Sequence, residues 1–175
     1  MYKSYFARRL ARAIGGVRLN GDGVRLAIFG SLRAIDKVYH SPDRQHLNTY
    51  TFGAIDYVVE QLLEARIPVV YDAIHSKRMD REKQESIATR FNAIPVLVCM
   101  QTSFETALQR GQEREATSDD RQFSEEKMRE GIAQFEQSME PVSNDEHLIT
   151  ISGEVTFEEQ LASFQKQLAE IMRRL

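Results

Sequence analysis

The stretch Arg66-Ile67-Pro68-Val69-Val70-Tyr71-Asp72-Ala73-Ile74-His75 decides the fold. Pro68 lacks a backbone N–H and stops a helix arriving from upstream. Val69 to Tyr71 is short, β-branched and aromatic, so it reads as a buried strand. Asp72 stands where that strand runs out. In open α/β sheets, ligands gather beyond the carboxyl ends of the strands. A carboxylate placed there is a loop cap or part of a reacting site. An acid directly behind an apolar strand favours the site.

Upstream of this stretch, Asn48 can cap a long helix running to Ala65, with Phe52, Ile55, Val59, Leu62 and Leu63 on one apolar face. Residues 31–47 are polar, with a turn at Ser41-Pro42-Asp43, and read as an excursion over the site. A helical piece from Val24 to Phe29 ends at Gly30, and Val17-Arg18-Leu19 reads as a strand. Before it, Phe6, Leu10, Ala13 and Ile14 recur at helical spacing, with Ser4 as cap and Gly15-Gly16 as terminator.

Downstream comes a basic loop with Lys77, Arg78 and Arg81, then a helix from about Asp80 to Phe91 that buries Ile87 and Phe91. Pro95 introduces a strand from Val96 to Met100. Thr102-Ser103-Phe104-Glu105 has the pattern of a capping box, for a helix to about Glu115 that carries Arg110 and Arg114. A polar segment follows, giving a candidate lid at about 110–124. Ser124 caps the next helix, whose Met128, Ile132 and Phe135 share a face. His147 to Ile151 alternates as a strand. Thr156-Phe157-Glu158-Glu159 is a second capping box, and the last helix buries Leu161, Phe164, Leu168 and Ile171. Strands alternating with helices mean right-handed crossovers and a mostly parallel sheet covered on both faces. The expectation is a single α/β domain over residues 1–175, three-layer α/β/α.

The formal net charge of −3 gives no global attraction to nucleic acid or membrane. The one cysteine, Cys99, lies in an apolar run and reads as a buried, inert thiol, in keeping with a reducing cytoplasm. No stretch has the apolar length of a membrane span. The first twenty residues carry Lys3, Arg8, Arg9, Arg12 and Arg18 and no acid. A transit peptide or a membrane-surface helix would share that bias. A folded helix with a basic outer face is preferred, because the segment runs directly into folded pattern.

Nearly the whole chain resembles the P-loop kinases, closest to the small ATP-dependent kinases grouped with polynucleotide kinase, zeta toxin and chloramphenicol phosphotransferase. Lys3-Ser4 followed by Ala7-Arg8-Arg9-Leu10-Ala11 resembles the end of a phosphate-binding loop entering its helix. Val17-Arg18-Leu19-Asn20-Gly21-Asp22-Gly23-Val24-Arg25 resembles the strand and acceptor-site segment. Val69-Val70-Tyr71-Asp72-Ala73, then Arg81, resembles the second acidic strand and its downstream arginine. Ala107-Leu108-Gln109-Arg110-Gly111-Gln112-Glu113-Arg114 resembles the lid helix with two arginines one turn apart.

The chain departs from the family at Met1-Tyr2-Lys3-Ser4, where the buried strand and the loop glycines are absent. Those glycines bring backbone N–H groups onto the phosphates. The implied fold is therefore P-loop NTPase-like without its usual first, central strand. A true start lying further upstream is the preferred account. A natural pseudo-kinase comes second and a coincidental Lys-Ser pair third.

The resemblance implies ATP and Mg²⁺ as cofactors and an unidentified hydroxyl-bearing acceptor. Lys3 would neutralise the β- and γ-phosphates. Ser4 would ligate magnesium, and Asp72 would hold that ion directly or through water. Asp22 would take or orient the acceptor proton, with Arg25 and Arg81 on the acceptor. Arg110 and Arg114 would face the transferring phosphate and the base of ATP. Each residue has a plainer alternative. Lys3 is also a frayed terminal side chain, Asp72 a loop cap, Asp22 a turn residue and Arg25 a solvated helix residue. Arg110 and Arg114, at i and i+4, suit helix salt bridges equally. His75 follows Asp72 closely without a metal-binding spacing and reads as a loop histidine.

Three functions are carried forward. The first is an ATP-dependent kinase of a small molecule or nucleic-acid end. The second is an inactive P-loop relic acting as a binding or interaction protein. The third, a nucleic-acid-binding module using the first helix, is disfavoured by the acidic balance, so nucleic acid enters only as a substrate. No membrane partner is expected.

Overall fold

The computed structural model describes residues 2–112 and 124–175. They form an α/β fold with parallel strands that falls into two compact units. Residues 7–73 build one. Residues 74–112 and 124–175, with residues 2–6, build the other. The proposed lid segment lies mostly outside the described residues.

In the unit of residues 7–73, α1 (Tyr2–Ala13) continues from residues 2–6 and leads to β1 (Val17–Asn20). Gly15 closes the helix in the left-handed region, at φ 66°. A Cβ on Gly16 would lie 2.5 Å from the Pro68 carbonyl oxygen. The absence of a side chain there lets the Val17 N–H donate to that oxygen at 2.9 Å, and β1 is aligned. Then come α2 (Gly21–Phe29), α3 (Leu32–Tyr39), α4 (Arg44–Glu64) and β2 (Val69–Asp72). β1 and β2 pair in parallel, from Val17 opposite Val69 to Asn20 opposite Asp72.

The polar stretch 31–47 is more regular than expected. The Ser31 hydroxyl accepts the Ala34 N–H and starts α3, which buries Ile35. α4 begins at Arg44, so Asn48 lies inside it and does not cap it. Ile35 is the buried anchor of the short helix α3, and Leu47 begins the buried face of the long helix α4. Ile55 and Val59 of α4 are buried as anticipated, while Phe52, Leu62 and Leu63 are half-buried. In α1, Ala7 and Ala11 are buried with Phe6 and Leu10, and Ala13 is exposed. β2 is only half-buried apart from Asp72.

The second unit holds α5 (Arg78–Arg90), β3 (Leu97–Gln101), α6 (Phe104–Gln112), α7 (Glu125–Ser138), β4 (Leu148–Ser152) and α8 (Phe157–Met172). β3 and β4 pair in parallel from Leu97 opposite Leu148 to Gln101 opposite Ser152. Among the described residues, then, the four strands form two parallel pairs. Ile149 and Ile151 are fully buried, and Phe6 packs its ring on Phe157 and Phe164 at 5.9 and 6.5 Å. The Gln167 amide meets both the N–H and the carbonyl of Thr150, which satisfies strand groups that would otherwise be lost on burial.

The capping box at Thr156 and Glu159 is formed. The one expected at Thr102 is not. Ser103 caps α6 through the Thr106 N–H, and Glu154 accepts from the Ser103 N–H and the Thr106 hydroxyl. Ser124 caps α7, in which Ile132 is half-buried and Phe135 exposed. Cys99 is half-buried, not buried. Among the described residues no helix is long and apolar enough to cross a membrane.

Candidate active site

The chain leaves β1 at Asn20 and turns directly into α2, so Asp22 falls in the first turn of the helix. An acid there is favoured by the unsatisfied N–H groups of the helix start. Arg25, one turn on, is 6% exposed. Its Nη1 donates to Asp22 Oδ1 at 3.0 Å and its Nη2 to Asn48 Oδ1 of α4 at 2.9 Å. The guanidinium lies 5.5 Å from the Phe52 ring centre and 5.9 Å from that of Tyr39. Its Nε is buried with no hydrogen-bond partner among the described residues. A Cβ on Gly21 would stand 3.0 Å from Nη1, so a side chain there would crowd the guanidinium. Asp22 is thus held from its inner side, and 28% of its side chain remains accessible. The structure brings these two predicted residues together at the carboxyl end of β1.

Asp72 ends β2 opposite Asn20, at the same end of the same parallel pair. Its side chain is 1% exposed. Arg18, from the neighbouring strand, places Nε at 2.9 Å and Nη2 at 2.7 Å, both on Asp72 Oδ2. This pairing is why a carboxylate can end an apolar strand: a buried charge needs a partner. It also bears on magnesium. A direct ligand presents its negative oxygen to the ion, and here that oxygen faces a guanidinium. Among the described residues no three His, Cys, Asp or Glu side chains gather as a metal cluster. Oδ2 of Asp72 is taken up by Arg18.

Lys3 and Ser4 sit in the first turn of α1, which contains no acid, and both are half-buried. The first N–H groups of a helix lack intrahelical partners and suit a phosphate. Arg110 lies in α6, but its side chain, and Arg114 entirely, fall outside the described residues.

Arg81 departs from expectation. It is 3% exposed. Its Nε meets Glu146 Oε1 at 2.6 Å and its Nη2 meets Glu146 Oε2 at 3.3 Å. The remaining donors reach the carbonyls of His75, Ser76 and Pro141. A guanidinium has five N–H donors, and all five are committed. Arg81 clamps the loop after β2 to the segment before β4, and no donor is left for an acceptor molecule. Its neighbour Arg78 adds Nη1 to Glu146 at 2.7 Å and Nη2 to Asp145 at 2.8 Å. Burial works to raise the Glu146 pKa. Arg81, the Ser143 N–H and Arg78 outweigh it and hold the carboxyl at about 2. Arg78 is raised, first by Glu82 and then by Glu146.

Sequence reasoning did not find Arg18, Asn48, Tyr39 or Glu146. For Arg18 a signal existed: a lone cation in a short apolar strand, beside another strand ending in an acid. Glu146 also had one, since Arg78 and Arg81 share a helix face and need an acid. Asn48 and Tyr39 had none, because their part rests on how α3 and α4 pack.

Residues 3–138 match the family model of an AAA domain. The fold is similar to a gluconokinase from Sinorhizobium meliloti 1021, at TM-score 0.63 and 17% identity, covering 99% of this chain and 88% of that one. It is equally similar to a "putative kinase" from Chloroflexus aurantiacus J-10-fl, at TM-score 0.63 and 12% identity, with 97% and 90% covered. No curated protein matches the chain significantly. These two structures share the P-loop kinase type of α/β fold with this chain, and the family match over residues 3–138 decides its membership: the chain belongs to the AAA-domain family.

Proposed function

We propose that the protein is a phosphotransferase that moves the γ-phosphoryl group of ATP to a hydroxyl of a small molecule or nucleic-acid end. The observation that carries this reading is the Asp22–Arg25–Asn48 group at the carboxyl end of β1, within a kinase-type fold. Bound ATP supplies the phosphoryl group and ADP as leaving group. Asp22 accepts the hydroxyl proton as the acceptor oxygen bonds to the γ-phosphorus and the bond to the β,γ-bridging oxygen breaks. Arg25 keeps the carboxylate in one orientation and offers an anionic acceptor group its positive charge. Lys3, Ser4 and the start of α1 hold the nucleotide phosphates, and Arg110 and Arg114 compensate charge on the transferring group. Arg81 is left out of the acceptor site, and no step is assigned to a metal on Asp72.

A second reading, an inactive P-loop relic that acts as a binding or interaction protein and has no affinity for ATP, is favoured by one observation. Asp72, the acid expected to hold magnesium, is neutralised by Arg18. Titration calorimetry with ATP and Mg²⁺ separates the two. Saturable binding, lowered at least tenfold in Lys3→Ala, supports the kinase. Absence of heat with a folded chain overturns it in favour of the relic.

A further inference from the structure

We propose that the outer face of α4 pairs two copies of this chain, antiparallel about a two-fold axis level with Ile55. The inner face of the helix is occupied by Leu47, Thr51, Ile55 and Val59. On the opposite face His46, Tyr50, Gly53, Tyr57, Glu60 and Glu64 recur at alternating intervals of four and three. That is the spacing of a seam between two helices. Tyr50 and Tyr57 are 68% and 64% exposed, more than the other exposed Tyr and Phe side chains described, Tyr5 and Phe135. The His46 ring lies along Tyr50, with centres 5.9 Å apart and planes 20° apart. Between the tyrosines, a Cβ built on Gly53 meets nothing within 4 Å. The face is a ridge of rings with an open notch.

The order of residues along the seam selects the occupant. Its N-terminal half is aromatic and carries His46, and its C-terminal half carries Glu60 and Glu64. A parallel copy in register would set Glu60 and Glu64 against themselves and leave two glycine notches facing each other. Like charges so placed oppose association. The antiparallel copy inverts every pairing. With the axis level with Ile55, Tyr57 faces the glycine notch at Gly53, Tyr50 faces Glu60, and His46 faces Glu64. A ring fills the notch, a phenol O–H meets a carboxylate, and an imidazole N–H meets a carboxylate. The two-fold makes each pair twice. One operation matches all six positions, a coincidence that an unrelated partner would not require, and C2 pairing is the commonest self-association. The proposal is independent of the catalytic reading.

Sedimentation velocity on the full chain, from about 1 to 200 µM, tests it. The mass should rise from 20.2 kDa toward twice that value, with a dissociation constant on the order of tens of micromolar, as befits a small interface. Gly53→Lys, which blocks the notch, and Tyr57→Ser, which empties it, should each weaken association at least tenfold. Their thermal melts should be no lower than the parent's, since both sites are exposed and lysine suits a helix better than glycine. Glu64→Arg should also weaken association, and adding His46→Glu should restore it. A monomer at the highest concentration, or a dimer indifferent to Gly53→Lys and Tyr57→Ser, overturns the proposal. Failure of the charge swap to restore pairing overturns the antiparallel arrangement.

Discussion

Replacing Arg81 by Met removes five hydrogen bonds from a buried guanidinium while keeping most of its volume. Removing one member of a buried ion pair costs about 3–5 kcal/mol, because the other charge is left without compensation. Here Glu146 keeps Arg78 Nη1 at 2.7 Å and the Ser143 N–H at 2.8 Å, so its loss falls at the lower end. Three carbonyls also lose their donor, at about 1 kcal/mol each where water does not replace it. The expected loss is about 3–4 kcal/mol, read as a shift of the urea midpoint at unchanged slope. The double variant Arg81→Met/Glu146→Leu should recover about 2 kcal/mol of it, since the stranded carboxylate is gone. A single-variant loss below about 1 kcal/mol, or a double variant that shows no recovery, refutes the clamp. If Arg81 served the acceptor instead, Arg81→Lys would raise KM with stability intact.

The same carboxyl makes stability depend on acid pH. Glu146 titrates at about 2 in the folded chain against an ordinary value of 4.5. The unfolded chain therefore binds the proton more readily, and the contribution is fully present above the unfolded value. It is lost as pH falls from about 5 to 2, by roughly 2–3 kcal/mol, and Glu146→Gln should flatten that part of a urea-midpoint series. Gly153→Ala should destabilise by at least about 2 kcal/mol, because its Cβ would fall 1.9 Å from Thr102 Oγ1 and 3.1 Å from the Gln101 carbonyl oxygen. A melt within one degree of the parent's would contradict that crowding. Thr156→Ala removes the cap of α8 and should cost about 1 kcal/mol in the same urea assay.

The fold class was legible because its signals are local. Proline before a β-branched run, glycine pairs after a helix and the Thr156–Glu159 box each act within a few residues, and the strands and helices follow. The excursion at 31–47 was passed over although part of it was legible: Leu32, Ile35 and Val38 recur at helical spacing behind Ser31, and the segment from Arg44 is the opening turn of the long helix α4. Asp22 and Arg25 were picked out through the resemblance, but their contact was not, because the helix was read from Val24 and it starts at Gly21, which puts the two at i and i+3. Arg81 was misread for a physical reason. A buried guanidinium looks the same in sequence whether it awaits an anion or already holds one, and Glu146 lies 65 residues away. Asp72 was read without its partner for the same reason, since Arg18 is 54 residues upstream.

The proposed phosphoryl transfer requires Asp22 to serve an acceptor hydroxyl. Its most direct measurement is ADP release from ATP, with and without a panel of hydroxyl acceptors, for the parent chain and Asp22→Asn. Release should be stimulated by an acceptor and fall about 10²–10⁴-fold in Asp22→Asn while the chain stays folded at the assay temperature. Release that no acceptor stimulates, or an Asp22→Asn chain as active as the parent, would contradict it.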